Sequence, residues 1–537
     1  MTGLVVVVLA ALVVLGVPLF AVFGAASMML FAGLPDTPIT GAANDVFGDK
    51  FASSPLLVTI PLFTFAGYLL AESGTPKRLV ALSRAWLGWM PGGLAIVCLV
   101  ASAFFTTFTG GSGITIIAIG GLLFPALLDD DYPERFSLGL VTAGGSLGLL
   151  FPPSLPLILY GVVASGVGVG AIVLIEKLFL AGVVPGLLTL LALSGYAVLV
   201  GRRGRAGSRR PFVAREAWRA LWTAKWEAML PVLLLVALYG GFLRVHEAAA
   251  VTALYVLVIE TFIYKDVSIG GDLPRIFREA ATLVGAILAI LATAIGFTAF
   301  LIQARVPQLA LEAMEAWVDS PFWFLLALNV FLILVGMLMD IFSAIVVVVP
   351  LIVPIADHFG IDPYHLGIVF LLNLEIGYLT PPVGLNLFIS SFRFERPLPT
   401  LYRASLPFIG ILLVALGITT YVPGLSTWLP EQVRIGGEGP TGRDGAGPDE
   451  PPEPAPGDRE QGPATLDDLE SGFEEDDEAP ATLDDLESGF EDDDEAPATL
   501  DDLESGFEDD DEAPATLDDL ESGFEEDDEP DPAPRSR

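Results

Sequence analysis

Residues 148–153 read Gly-Leu-Leu-Phe-Pro-Pro, and residues 377–382 read Gly-Tyr-Leu-Thr-Pro-Pro. A shift of 229 positions places the first stretch on the second without a gap, and the same shift places Pro125 on Pro354. This shared register indicates that the chain contains two copies of one unit. Proline removes a backbone donor and glycine tolerates non-helical angles, so each stretch predicts a break within a helix.

Long apolar runs surround both breaks. Hydrophobic residues make up 53% of the chain, and the runs 4–15, 187–200 and 344–355 contain no charged residue. A helix needs roughly 20 apolar residues to cross a bilayer, and lipid offers no partners to an open backbone. Repeats in secondary transporters are often inverted. The sequence therefore predicts an all-α polytopic membrane protein with two inverted repeats and broken helices.

The net charge of −38 is concentrated at the C-terminus. Residues from Glu431 onward include 5 basic and 41 acidic side chains, whereas the preceding residues include 22 and 24. We predict five regions from these patterns: a first transport repeat (1–200), a basic loop (201–227), a second transport repeat (228–428), a Pro/Gly-rich linker (429–462) and acidic repeats (463–537).

The basic loop sets the expected orientation. Seven arginines lie between Arg202 and Arg219, so the positive-inside rule predicts a cytoplasmic loop, and tracing from it places the C-terminus inside as well. The apolar run after Met1 lacks a basic n-region, so we expect a first membrane helix and not a removed signal peptide.

The acidic tail repeats a 17-residue unit from Pro463. Its composition cannot bury enough apolar surface to offset ordering, so we expect disorder. Two interpretations stay open: a solvated tail, or four linked copies of a docking segment for an unknown partner.

The breaks are the candidate binding sites. Carbonyl groups freed by an unwound helix need partners, and a sodium ion takes such oxygen ligands. The Thr380 hydroxyl stands beside the second break, and the positive ends of half-helices suit an anionic substrate. Each break also has a companion segment of small or polar residues, 106–113 and 336–340. The alternative is that these small residues only allow helices to approach closely.

Several local motifs then resemble one family. They are Ile-Pro-Leu-Phe at 60–63, Met-Pro-Gly-Gly at 90–93, Phe-Pro-Pro-Ser-Leu-Pro at 151–156, Tyr-Gly-Gly at 239–241 and Leu-Thr-Pro-Pro-Val-Gly-Leu-Asn at 379–386. In this order and spacing, residues 1–425 resemble the large membrane subunit of tripartite ATP-independent periplasmic (TRAP) transporters.

The resemblance implies a sodium-driven, elevator-type importer in the bacterial inner membrane. Its implied partners are a periplasmic binding protein that delivers an organic acid and a separate small four-helix membrane subunit. The implied sodium-binding positions are Thr106, Thr109, Gly148, Phe151 and Pro153 in the first repeat, and Gly336, Gly377, Thr380 and Val383 in the second. Thr106 and Thr109 stand where the family pattern has Gly or Ser. We place the substrate cavity at Ser112, Ser154, Asp340 and Asn386.

Other polar residues give weaker signals. Glu247, Asp340 and Glu375 are carboxylates in apolar surroundings, which indicates either function or pairing with an arginine or a helix N-terminus. His358 and His365 lack metal-ligand spacing, and we expect both to be solvated. Cys98 is the single cysteine, and no Walker A or GxSxG motif occurs. The sequence therefore predicts neither an enzyme nor a nucleic-acid partner, and no cofactor besides coupling ions.

Two other functions compete with the TRAP subunit. A stand-alone carrier of dicarboxylates or related anions could use a similar architecture without a binding protein. A membrane scaffold could instead recruit partners through the acidic repeats. Dependence of transport on an added binding protein would distinguish the TRAP subunit from the stand-alone carrier. Deletion of residues 431–537 would abolish the role of a scaffold but leave transport intact.

Overall fold

The computed structural model describes residues 17–31, 55–167, 173–203, 212–306, 308–309, 318 and 320–433. Within these ranges every regular element is a helix. Contacts divide the chain into Met1–Gly442 and Arg443–Arg537, and the second unit lies outside the described residues. The same holds for residues 1–16, for residues 204–211 of the basic loop, and for the acidic repeats.

The helices of the first half are α1 (Leu19–Phe31), α2 (Thr59–Glu72), α3 (Thr75–Leu87), α4 (Gly93–Thr109), α5 (Ser112–Asp129, with a π turn), α6 (Glu134–Gly144), α7 (Leu155–Gly166) and α8 (Ile175–Arg203). A 3-10 turn, Leu147–Leu150, lies between α6 and α7, and another, Pro55–Val58, precedes α2.

The remaining helices are α9 (Ala214–Thr223), α10 (Lys225–Tyr239), α11 (Val245–Ile263, ending in a π turn), α12 (Asp272–Gln303), α13 (Pro321–Leu338), α14 (Ile341–His358), α15 (Pro363–Gly377), α16 (Leu385–Phe394), α17 (Leu398–Tyr421) and α18 (Gly424–Gln432).

The helix boundaries confirm the duplication. The 229-residue shift places both ends of α5 on the ends of α14. It also places α4 on α13 and the start of α6 on the start of α15, within one residue. The prediction of two repeats with matching broken helices is therefore confirmed by the fold.

Helices of the two halves pack against each other. Helices α1 and α2 of the first half pack on α12 and α11 of the second half, and likewise α7 packs on α14 and α5 packs on α16. Within the first half, α2 approaches α4 so closely that a Cβ on Gly67 would lie 2.8 Å from the Thr109 Cα. Small residues thus set the helix spacing, as is usual where lipid supplies no hydrophobic drive between helices.

Seven described helices are long and apolar enough to cross a membrane, or nine if each of two bent pairs counts as one span. One bent pair is the α6 segment continued to Leu150 together with α7, with an angle of 46°. The protein is therefore a multi-pass membrane protein. Helix α3 is shorter and amphipathic, and Trp86 at its C-terminal end is 46% exposed, which suits a helix lying at the interface.

An ion cluster attaches α3 to the second half. The Arg78 guanidinium contacts carboxylates of Glu227 on α10, Glu260 on α11 and Asp266 in the loop that follows. It also stacks over the Tyr264 ring at 3.7 Å. Burial by itself would lower the pKa of Arg78, but the carboxylates around it raise this pKa above its ordinary value. This cluster was not predicted from the sequence, because its four charged residues are far apart along the chain.

Candidate ion and substrate site

The first break is built against α4. Helix α6 ends at Gly144, and the chain continues through the 3-10 turn to Phe151 before α7 begins at Leu155. A Cβ on Gly148 would clash with the Ala103 carbonyl oxygen and lie 2.5 Å from the Thr107 nitrogen. Glycine at this position therefore lets the unwound segment lie directly on α4.

Hydroxyl and carbonyl oxygens gather beside this break. The Thr106 Oγ1 lies 2.8 Å from each of three oxygens: the carbonyls of Ser102 and Gly145 and the Thr115 Oγ1. One hydroxyl donates only one hydrogen bond at a time, so lone pairs in excess of donors meet in a buried space. Such an oxygen-rich space suits a hard cation.

Thr107 adds to the same set. Its Oγ1 donates to the Ala103 carbonyl at 2.8 Å and lies 3.2 Å from the Gly148 carbonyl. Thr107, Thr115 and Gly145 were not among the predicted site residues. Thr107 lies within the polar companion segment 106–113, whereas Thr115 and Gly145 come close to Thr106 only through folding.

The second break is built from backbone against backbone. A Cβ on Gly377 would lie 2.6 Å from the Gly336 carbonyl carbon, so these two glycines are in direct contact. The Gly384 N–H donates to the Met337 carbonyl at 3.2 Å and fixes the end of the break to α13. The Thr380 Oγ1 donates to the Ile376 carbonyl at 2.8 Å.

The fold brings together some of the predicted sodium positions. Thr106 and Gly148 meet at the first break, and Gly336 and Gly377 meet at the second. Thr109 is buried and its hydroxyl donates to the Phe105 carbonyl.

The remaining predicted sodium positions lie on the unwound segments themselves. Phe151 follows the 3-10 turn, and its N–H donates to the Gly148 carbonyl. The Pro152–Pro153 and Pro381–Pro382 bonds are both cis. Val383 is 39% exposed.

The four predicted cavity residues differ in exposure. Ser112 and Asn386 are buried, and Ser154 is buried as the N-cap of α7. Asp340 is exposed and caps α14, accepting from the N–H groups of Phe342 and Ser343 at 3.1 Å. An apolar recess of about 470 Å³ borders the first break near Phe104 and Pro152. Its lining does not suit an organic acid, because it offers few polar partners.

Two expectations about other polar residues are now decided. The prediction that His365 is solvated is wrong: it is 1% exposed, and its ring nitrogens lie 2.6 Å from the Ser426 Oγ and 3.2 Å from the Thr420 carbonyl. Helix α15 begins at Pro363 and turns this side chain toward α17 and α18 and away from the loop. Glu247 takes the helix-terminus alternative, because it accepts from the Arg244 N–H at 2.8 Å.

Comparison with known proteins identifies the architecture. The sequence matches the family model of the tripartite ATP-independent periplasmic transporter, DctM component, over residues 6–425. The chain belongs to the TRAP large permease family. It is 35% identical over 439 residues to the C4-dicarboxylate TRAP transporter large permease protein DctM of Vibrio cholerae, covering 78% of this chain and 95% of that protein.

A second similar relative is the C4-dicarboxylate TRAP transporter large permease protein DctM of Pseudomonas aeruginosa. It is 36% identical over 411 residues, covering 76% of this permease and 92% of the relative. The fold of the permease also resembles the crystal structure of the Alcanivorax borkumensis YdaH transporter. That match has a TM-score of 0.55 and 16% identity and covers 76% of this chain and 97% of the other, so it concerns the fold alone.

Proposed function

We propose that this TRAP large permease is the transport subunit of a sodium-coupled importer of organic acids. The oxygen cluster around Thr106, with its 2.8 Å distances at the first break, carries this proposal. A sodium ion at each break would be coordinated by oxygen lone pairs that are not used in hydrogen bonds. The nine positions named above from Thr106 to Val383 would then line the two ion sites.

The two breaks occupy equivalent positions in the two repeats. Sodium binding at both would couple the sodium gradient to substrate movement. In an elevator mechanism, the part that carries both breaks would move against helices α1, α2, α11 and α12. The substrate would bind near the N-termini of the half-helices. The positive end of a helix dipole lies there and would attract an anion. Two similar relatives are named for C4-dicarboxylates, so dicarboxylates stand first among the organic acids to test.

The proposed partners are a small four-helix membrane subunit and a soluble periplasmic binding protein. The proposed location is the inner membrane of a bacterial cell, with the basic loop and the acidic tail on the cytoplasmic side. The predicted five-part division of the chain belongs to the same proposal.

Sodium binding is tested first by thermal stability of the purified permease, co-expressed with its small subunit. The midpoint is compared in NaCl, KCl and choline chloride of equal ionic strength. A ligand at about 100 times its dissociation constant stabilises the folded state by roughly 2.7 kcal/mol. We expect a rise selective for sodium that is reduced in Thr106→Val.

Thr293→Val is the matched control, because among the described residues the Thr293 hydroxyl bonds to two carbonyls of its own helix, each at 3.0 Å, and to no other group. This variant should keep the full sodium response. Equal midpoints in the three salts, with Thr106→Val behaving as the unmodified protein, would remove the support for the ion sites.

Two further assays separate the competing functions. Uptake of C4-dicarboxylates into proteoliposomes should require added binding protein, whereas a stand-alone carrier needs none. Deletion of residues 431–537 should leave uptake intact, whereas a scaffold would lose its role.

A further inference from the structure

One buried carboxylate has no role in the proposal so far. Glu375 has an exposed fraction of 0%, and no described residue donates a hydrogen bond of normal geometry to either of its carboxylate oxygens. None of the ion pairs between described residues includes it. A buried charge without a partner is strongly unfavourable, so a position of this kind calls for a positive species.

The symmetry of the fold gives Glu375 a particular place. The 229-residue shift that relates the repeats carries Ser146 onto Glu375, and these two side chains lie beside each other. Equivalent positions that meet in this way lie where the two repeats face each other. The 3-10 turn of the first break contacts α15 at this point.

This place differs from the second break, although Glu375 is close to Gly377 in sequence. Residues two apart on an α-helix point in directions about 200° apart. Gly377 faces Gly336 on α13, whereas Glu375 faces Ser146 in the other repeat. An ion held by Glu375 would therefore be distinct from one held at Gly377.

Asn386 adds a second acceptor without a partner. It is buried at the start of α16, and its Nδ2 lies 3.4 Å from the Thr142 carbonyl and 3.5 Å from the Ser146 Oγ. No residue in the described ranges donates a hydrogen bond to its Oδ1. The Glu375 carboxylate and the Asn386 side-chain amide thus both lie next to the Ser146 side chain, and together they carry three buried oxygens without a hydrogen bond from a described residue.

We propose that Glu375, Ser146 and Asn386 form a third sodium site between the two repeats. The inference rests on the proposed sodium coupling and adds one ion to it. A hard cation prefers such oxygens, and a single carboxylate among neutral ligands suits a monovalent ion better than a divalent one. The site uses side chains from both repeats, whereas each break uses groups from one repeat.

The test counts bound sodium. The full-length permease with its small subunit is purified, and sodium-22 binding from NaCl is measured by scintillation proximity for the unmodified protein and Glu375→Gln. We expect Glu375→Gln to bind one ion fewer per protein. Ser146→Ala and Asn386→Leu keep the Glu375 carboxylate. In these variants the sodium concentration that half-fills the site should rise several-fold.

A double variant separates a direct role from distortion of the second break. Glu375→Gln and Thr380→Val should each remove one ion, and together they should remove two. If Glu375→Gln acted only through the second break, the double variant would bind as many ions as Thr380→Val alone, and the third site would be rejected. Glu247→Gln is the control, because that exposed carboxylate caps α11 and should leave the count unchanged.

The remaining outcomes are also decisive. A carboxylate that carries only a proton would leave the sodium count of Glu375→Gln unchanged, which overturns the third site while the two sites at the breaks stand. Absence of sodium binding in the unmodified protein would overturn both proposals. If Glu375→Gln does not fold, Ser146→Ala and Asn386→Leu decide, since unchanged affinity in both contradicts the site.

Discussion

The two breaks occupy the same position in their repeats, yet different groups fill the space beside them. At the first break, hydroxyls of Thr106 and Thr107 lie against the unwound chain, and Gly148 leaves room for this contact with α4. At the second, Gly336 meets Gly377 and no side chain stands between them. The backbone therefore has the same fold in both repeats, while the groups that contact it differ. For this reason the two proposed ion sites should respond differently to substitution.

The largest expected effect is a loss of stability when a glycine at either break is replaced by alanine, and it should be larger at Gly148 than at Gly336. In Gly148→Ala the new methyl group would meet backbone atoms of Ala103 and Thr107, which cannot move cheaply. In Gly336→Ala the nearest atom would be the Leu374 Cα at 2.9 Å, a smaller overlap. Overpacking typically costs about 1–3 kcal/mol, so both variants should melt lower, and Gly148→Ala should melt lowest.

Gly410→Ala provides the control for this pair, because a Cβ there meets nothing within 4 Å. Melting of all three variants is followed in choline chloride, which excludes sodium binding. If Gly336→Ala were the less stable of the pair, the contrast between the breaks would be reversed.

The second effect concerns the hydroxyls. Thr106→Val removes a group that three oxygens contact at 2.8 Å, and loss of a buried partner costs about 1–3 kcal/mol. Thr380→Val removes a hydroxyl that donates to one carbonyl, that of Ile376 in the last turn of α15, so stability should fall less. Thr106→Ser keeps the hydroxyl and should stay close to the unmodified protein in melting temperature and in sodium dependence.

The smallest effect concerns the helix that follows each companion segment. Asp340 caps α14, whereas its counterpart Gly111 gives α5 no side-chain cap. Replacing a cap with alanine costs about 1 kcal/mol and replacing it with glycine costs a few tenths. Asp340→Ala should therefore lower the melting temperature slightly and Asp340→Gly hardly at all. A large loss in Asp340→Gly would instead indicate that this carboxylate does more than cap the helix.

Much of the fold could be predicted from the sequence because the decisive signals are local. Proline and glycine mark each break, and the shared register shows the duplication before any contact is known. The oxygen cluster could not be predicted, because Thr115 and Gly145 approach Thr106 only when three helices pack. His365 was misjudged for a related reason: its sequence neighbours form a loop, but the direction of α15 buries the side chain. The shift of 229 does show from sequence that Ser146 and Glu375 are equivalent positions, but their contact depends on how the two repeats pack.

The exchange of packing partners between the halves, with α1 on α12 and α2 on α11, makes each half resemble one subunit of an obligate heterodimer. Arg78 strengthens this relation, because its carboxylate partners all belong to the second half. A chain cut within residues 204–211 should therefore reassemble when both fragments are made together, while either fragment made alone exposes faces that only the other can cover. In the intact protein the covalent connection between the halves then sets their stoichiometry, and the interface between them holds the structure together.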